Sequence, residues 1–103
     1  MYIRIARFES GERNWDEFAE GIRDNIRSGA QGTPLAQAID VVDRVMLLVD
    51  RDSDRGANLI ICRTEDDLRR IDAAMNDMTP AAGRGERTSV EMYEVLLDER
   101  PGA

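Results

Sequence analysis

RVMLLVDRDSDRGANLIICR, residues Arg44 to Arg63, decides the fold. Two apolar runs, Val45 to Val49 and Leu59 to Cys62, flank a polar stretch from Asp50 to Asn58. That stretch carries Asp50, Asp52 and Asp54 with Ser53 and Gly56, a turn-forming and solvated composition. Short runs rich in Val, Leu and Ile on either side of such a loop read as a β-hairpin. Alternation along a strand sends Val45, Leu47 and Val49 one way and Met46 and Leu48 the other. Leu59 and Ile61 likewise oppose Ile60 and Cys62. Both faces of the hairpin are therefore apolar, and a strand with two apolar faces needs cover on both sides.

Upstream, Tyr2 to Phe8 alternates as a strand, with Ile3, Ile5 and Arg7 on one face and Tyr2, Arg4, Ala6 and Phe8 on the other. A turn follows over Glu9 to Arg13. Asn14 then has the character of a helix N-cap, with Glu17 three residues on. Trp15, Phe18, Ile22 and Ile26 form one apolar stripe of a helix that runs to about Arg27. Ser28, Gly29, Gly32 and Pro34 end it and open an irregular connection. A short second helix over Pro34 to about Asp40 is expected, with Thr33 before a proline at its first position. Downstream of the hairpin, Thr64 caps a helix whose first turn holds Glu65, Asp66 and Asp67, anions suited to the positive end of the helix dipole. Its stripe is Leu68, Ile71, Met75 and Met78. Pro80 and Gly83 to Gly85 break it. Thr88 to Asp98 is the last strand, and residues 99–103 form a frayed tail.

Strand, helix, strand, strand, helix, strand is the ferredoxin-like βαββαβ arrangement, a single α+β domain over residues 1–98. Right-handed crossovers put both helices on one face of a four-stranded antiparallel sheet. The other face stays bare, although the hairpin makes it apolar. Apolar surface left in water costs about 25 cal/mol per Å², so the expected remedy is a second copy packed sheet to sheet as a two-fold dimer.

The chain has 103 residues and a formal charge of −7. Every one of its 14 basic residues is arginine. An acidic balance with charges interspersed argues against a nucleic-acid or anionic-membrane surface. No apolar run approaches the roughly 20 residues that span a bilayer. The N-terminus, MYIRIARFE, lacks the apolar core of a signal peptide, so a cytoplasmic location is expected. The single cysteine, Cys62, fits a reducing compartment and leaves no internal disulfide. Histidine and lysine are both absent. That removes the usual Ser-His-Asp and Cys-His nucleophiles, a P-loop or Schiff-base lysine, and a histidine haem ligand. A His/Cys zinc site is excluded too. Asp50, Asp52 and Asp54 alternate like a calcium loop, but the sixth position is Arg55 and the twelfth Ile61, where an EF-hand needs Gly and Glu. No metal and no cofactor is expected.

YIRIARFE, LLVDRDSDRG, LIICRTEDDLRRID and SVEMYEVLLDE, in that order, cover most of the chain. Together they resemble the small dimeric α/β-barrel proteins, and within them the antibiotic-biosynthesis-monooxygenase-like group. The resemblance implies a ferredoxin-like fold whose sheets pair into a dimeric barrel. Some members of that group oxidise polycyclic phenols with molecular oxygen and neither metal nor flavin, by substrate deprotonation aided by Asn, Trp and Tyr side chains. Others degrade haem, isomerise or cyclise small molecules, or have no assigned activity. This chain departs from the pattern at Cys62, where many relatives carry tryptophan, in the absence of histidine, and over Ser28 to Val42.

A pocket is expected between sheet and helices. Asn58, Tyr93 and Trp15 are its catalytic candidates: Asn58 to bond a substrate oxygen, Tyr93 as acid or donor, Trp15 to stack on an aromatic ring. Tyr2, Arg4, Asn58 and Cys62 are the candidates for ligand binding. Each has a plainer reading: a hairpin-end asparagine, an amphipathic strand tyrosine, a core tryptophan, an arginine in a salt bridge, a small buried thiol. Three functions follow as expectations. The first is a small homodimer that binds an apolar or aromatic ligand. The second is a cofactor-independent monooxygenase acting on an aromatic, polyketide-type substrate. The third is a non-catalytic structural or regulatory dimer.

Overall fold

The computed structural model describes residues 1–9, 14–76 and 86–102. Strand β1 (Tyr2–Glu9) leads to helix α1 (Trp15–Arg27), then to two 3-10 turns, Pro34–Gln37 and Ile39–Val41. The hairpin β2 (Arg44–Asp50) and β3 (Arg55–Cys62) follows, then α2 (Glu65–Asn76) and β4 (Glu86–Glu94). The strands form one antiparallel sheet in the order β2-β3-β1-β4. This is the ferredoxin-like α+β fold.

Local chemistry sets the ends of the helices. Asn14 Oδ1 accepts the N–H groups of Asp16 at 3.0 Å and Glu17 at 3.2 Å, which caps α1. Gly29, at φ +76°, turns the chain out of α1 through the left-handed region that glycine enters without steric cost. Thr64 Oγ1 accepts the N–H of Asp67 at 3.1 Å and caps α2.

Register assigns the two faces of the sheet. Arg4 lies opposite Ile60, Ala6 opposite Asn58 and Phe8 opposite Gly56. Ile60 in turn lies opposite Val45, and Asn58 opposite Leu47. All these side chains stand on the face that carries the helices. Ile3, Ile5, Leu59, Ile61, Met46 and Leu48 stand on the other, which no element of the described chain covers. Leu48 is 46% exposed there and Tyr93 50%.

The core lies between α2 and the sheet. It joins Ile60 and Cys62 of β3 to Leu68, Ile71 and Ala74 of α2. Ala30, Leu35 and Ala38 complete it, so the connection between α1 and β2 belongs to the interior. The short second helix expected there is instead two 3-10 turns, Ala38 serving as the end of one and the start of the next.

The hairpin is tighter than its composition implies. β3 begins at Arg55, not at Leu59, because Arg55 to Asn58 pair with both β1 and β2 despite their polarity. Asn58 is thus a mid-strand residue rather than a hairpin end. β4 ends at Glu94, short of the expected Asp98. Its partner β1 begins at Tyr2, opposite Glu94, and the N–H of Val95 reaches the Met1 carbonyl at 2.8 Å as the last bond. Leu96 and Leu97 beyond it are 93% and 80% exposed. Most of the expected Glu9–Arg13 turn, together with Met78, Pro80 and Gly83 to Gly85, falls outside the described residues.

Candidate functional site

Helix α1 is anchored near both of its ends. At its start, Trp15 and Phe8 stack with ring centroids 6.1 Å apart, and Phe18 meets each of them edge-on at 5.9 and 5.8 Å. The indole N–H of Trp15 donates to Asp54 Oδ1 at 2.8 Å, which ties the helix to the hairpin loop. Gly56 is required beneath these rings. A Cβ there would lie 2.8 Å from Phe8 and 2.9 Å from Trp15. Near the other end, Ile26 packs against the core.

Between these supports lies an open cleft of about 420 Å³. Trp15, Ala19, Ile22 and Ile26 wall it from α1, and Val45, Leu47 and Val49 from β2. Asp16, Arg23, Arg27 and Arg51 stand around it. The lining is mixed, apolar on the facing walls of α1 and β2 and charged around them. Arg51 is engaged by Asp16 at 2.9 Å, which holds that carboxyl below the usual range. Arg23 is engaged by Glu20 at 2.5 Å. Arg27 has no ion pair among the described residues.

Of the sequence candidates, only Trp15 lines this cleft. Asn58 lies beside it, on the same face, opposite Leu47. Its Oδ1 is buried without a hydrogen-bond partner among the described residues, an arrangement that costs about 1–3 kcal/mol. Tyr93 pairs with Ile3 and so stands on the opposite face of the sheet. There its hydroxyl donates to Glu91 at 2.8 Å, and Glu91 also accepts from Arg7 at 2.6 Å. The bond to Glu91 raises the Tyr93 pKa, and the bonds from Arg7 and Tyr93 lower that of Glu91.

The ligand-binding candidates Tyr2, Arg4 and Cys62 share the helix-facing side of the sheet, and two of them have partners within the chain. Arg4 is 1% exposed, and its Nε donates to Asp72 Oδ1 on α2 at 2.9 Å. Cys62 is fully buried, with Sγ 3.6 Å from the Thr64 carbonyl. Burial, then Asp67, pushes its thiol pKa up, the reverse of what a nucleophile requires. Tyr2 lines a separate depression of about 230 Å³ with Leu68, Arg69 and Met92. Its pKa is raised, first by Glu94. Among the described residues no group of three His, Cys, Asp or Glu is placed to hold a metal. No helix there is long and apolar enough to cross a membrane.

No protein-family model matches the chain, and no curated protein matches it significantly. Among solved structures it is similar to that of Rv0793 from Mycobacterium tuberculosis. The two are 16% identical, over 95% of this chain and 96% of that one, with a TM-score of 0.49. At that identity the likeness says nothing about chemistry.

Proposed function

We propose that this protein is a small homodimer that binds an apolar or aromatic molecule in the cleft between α1 and β2. The observation that carries the reading is the cleft itself, an open space with aliphatic side chains of α1 and β2 and Trp15 on its walls and Asp16, Arg23, Arg27 and Arg51 around it. A concave surface of this size that joins apolar walls to a few charged groups is the usual form of a small-molecule site. The bare apolar face of the sheet supports the dimer, since a second copy is the simplest cover for it. The dimeric α/β-barrel resemblance agrees with both parts.

One observation favours a second reading, a cofactor-independent oxygenase of the monooxygenase-like group. The unpartnered Oδ1 of Asn58 is an acceptor suited to a phenolic hydroxyl. Against it, the sheet separates Tyr93 from Trp15 and Asn58 within one chain. The binding reading is therefore preferred.

Native mass spectrometry of gently purified protein at micromolar concentration tests the proposal. A dimer carrying a small organic adduct is the expected result. A monomer without adduct overturns it. Oxygen uptake with model anthrones that disappears in Asn58→Ala would transfer the case to the oxygenase.

A further inference from the structure

We infer that the molecule taken by the α1–β2 cleft is an amphiphilic anion, an apolar or aromatic body ending in a carboxylate, and that Arg27 reads the carboxylate. The inference rests on the binding role proposed for the cleft. It deepens that role by naming the ligand class.

Charge is the first ground. The protein carries −7 overall, yet three arginines to one carboxylate surround this cleft. Asp16 and Glu20 neutralise Arg51 and Arg23, so the uncompensated positive charge on the cleft wall is that of Arg27. Pairing is the second ground. Asp16 satisfies Arg51 and Glu20 satisfies Arg23. Arg27 alone of the three has no carboxylate among the described residues. A cation in the last turn of a helix suits the helix dipole. That accounts for its charge but not for its place, unpaired, beside the aliphatic walls of the cleft. A planar guanidinium with free N–H groups is the geometry that binds a carboxylate through two parallel bonds. An apolar tail beneath α1 would replace water against Ile22 and Leu47 and leave its head group at the rim, beside Arg27.

The test uses a matched pair, 4-phenylbutanoate and 4-phenylbutan-1-ol, which share a body and differ in the charged end. Trp15 is the only tryptophan and lines the cleft, so its emission reports occupancy; calorimetry gives an independent affinity. The acid is expected to bind about tenfold or more tighter than the alcohol at low salt. That advantage should vanish in Arg27→Gln, fall to an intermediate value in Arg27→Lys, which keeps the charge without the two parallel donors, and shrink in high salt. Equal binding of acid and alcohol, or an advantage that persists in Arg27→Gln, overturns the anion inference and leaves the cleft as an apolar site. Binding of neither compound overturns the inference and the cleft reading together.

Discussion

Arg4 is the residue on which the interior is most exposed to a single change. Its guanidinium is enclosed, and it donates through Nε to Asp72 and through a terminal nitrogen to Asn76 Oδ1 at 3.4 Å. Asn76 in turn donates to Asp72 at 3.2 Å, which closes a triad between β1 and α2. Removing one partner of a buried pair strands the other charge, at a cost of about 3–5 kcal/mol. Asp72→Ala should therefore destabilise by about 3 kcal/mol, and the double variant Arg4→Met/Asp72→Ala by less, as urea unfolding at neutral pH will show. A double variant weaker than Asp72→Ala alone would contradict the account. On the bare face, Arg7 and Tyr93 hold Glu91 below its usual pKa. An unfolded glutamate titrates near about 4.3. The contribution of this carboxylate is thus complete above that value and is lost as the pH falls through the lower, folded one. Glu91→Gln should be less stable than the parent at neutral pH, and the two melting curves should converge in acid. A gap that stays constant from neutral pH into acid would mean that the loss does not come from the charge of Glu91.

At the scale of elements, the sequence carries some features openly and conceals others. The strand alternation of β1, the stripe of α1, and the caps Asn14 and Thr64 are local signals, and each is realised. The connection from Ser28 to Val42 is concealed. Its glycines and its proline mark a loop, yet Ala30 and Ala38 are small enough to enter the core, where they are 0% and 1% exposed. The start of β3 is concealed as well. Arg55 and Asn58 are polar, and only pairing with two neighbouring strands makes a strand of them. The site is half legible. Trp15, Ile22 and Ile26 read as a face directed at the sheet, but a stripe that touches the sheet and one that stands off it have the same spacing. Arg4 reads as a candidate ligand clamp because its partner Asp72 lies 68 residues away, beyond the reach of any local pattern.

For the whole molecule, the hairpin's two apolar faces lead to the architecture. One face is covered by helices, and the other, with Ile3, Ile5, Leu48 and Leu59, is covered by no element of the described residues. The sheet-to-sheet dimer proposed for it makes a direct prediction. Leu48 is already 46% exposed in one chain, so Leu48→Asp should spare the fold. It would place a carboxylate in the dimer seam, and an unpaired charge there is strongly disfavoured. Light scattering after gel filtration should give the monomer mass while circular dichroism is unchanged. A Leu48→Asp protein that remains dimeric would show that the copies associate elsewhere.

Helix α1 has the mechanics of a beam resting on two piers, the aromatic cluster at Trp15 and the seat of Ile26, with an unfilled span under Ala19. Packing left undone in a span is stability held in reserve. Ala19→Leu would fill the gap from above, raise the unfolding free energy by about 0.5–2 kcal/mol, and abolish occupancy of the cleft. A variant that becomes sturdier as it loses its ligand would show that the smallness of Ala19 is maintained for what the span admits. One that loses stability would show that the space under Ala19 is too small for the added side chain.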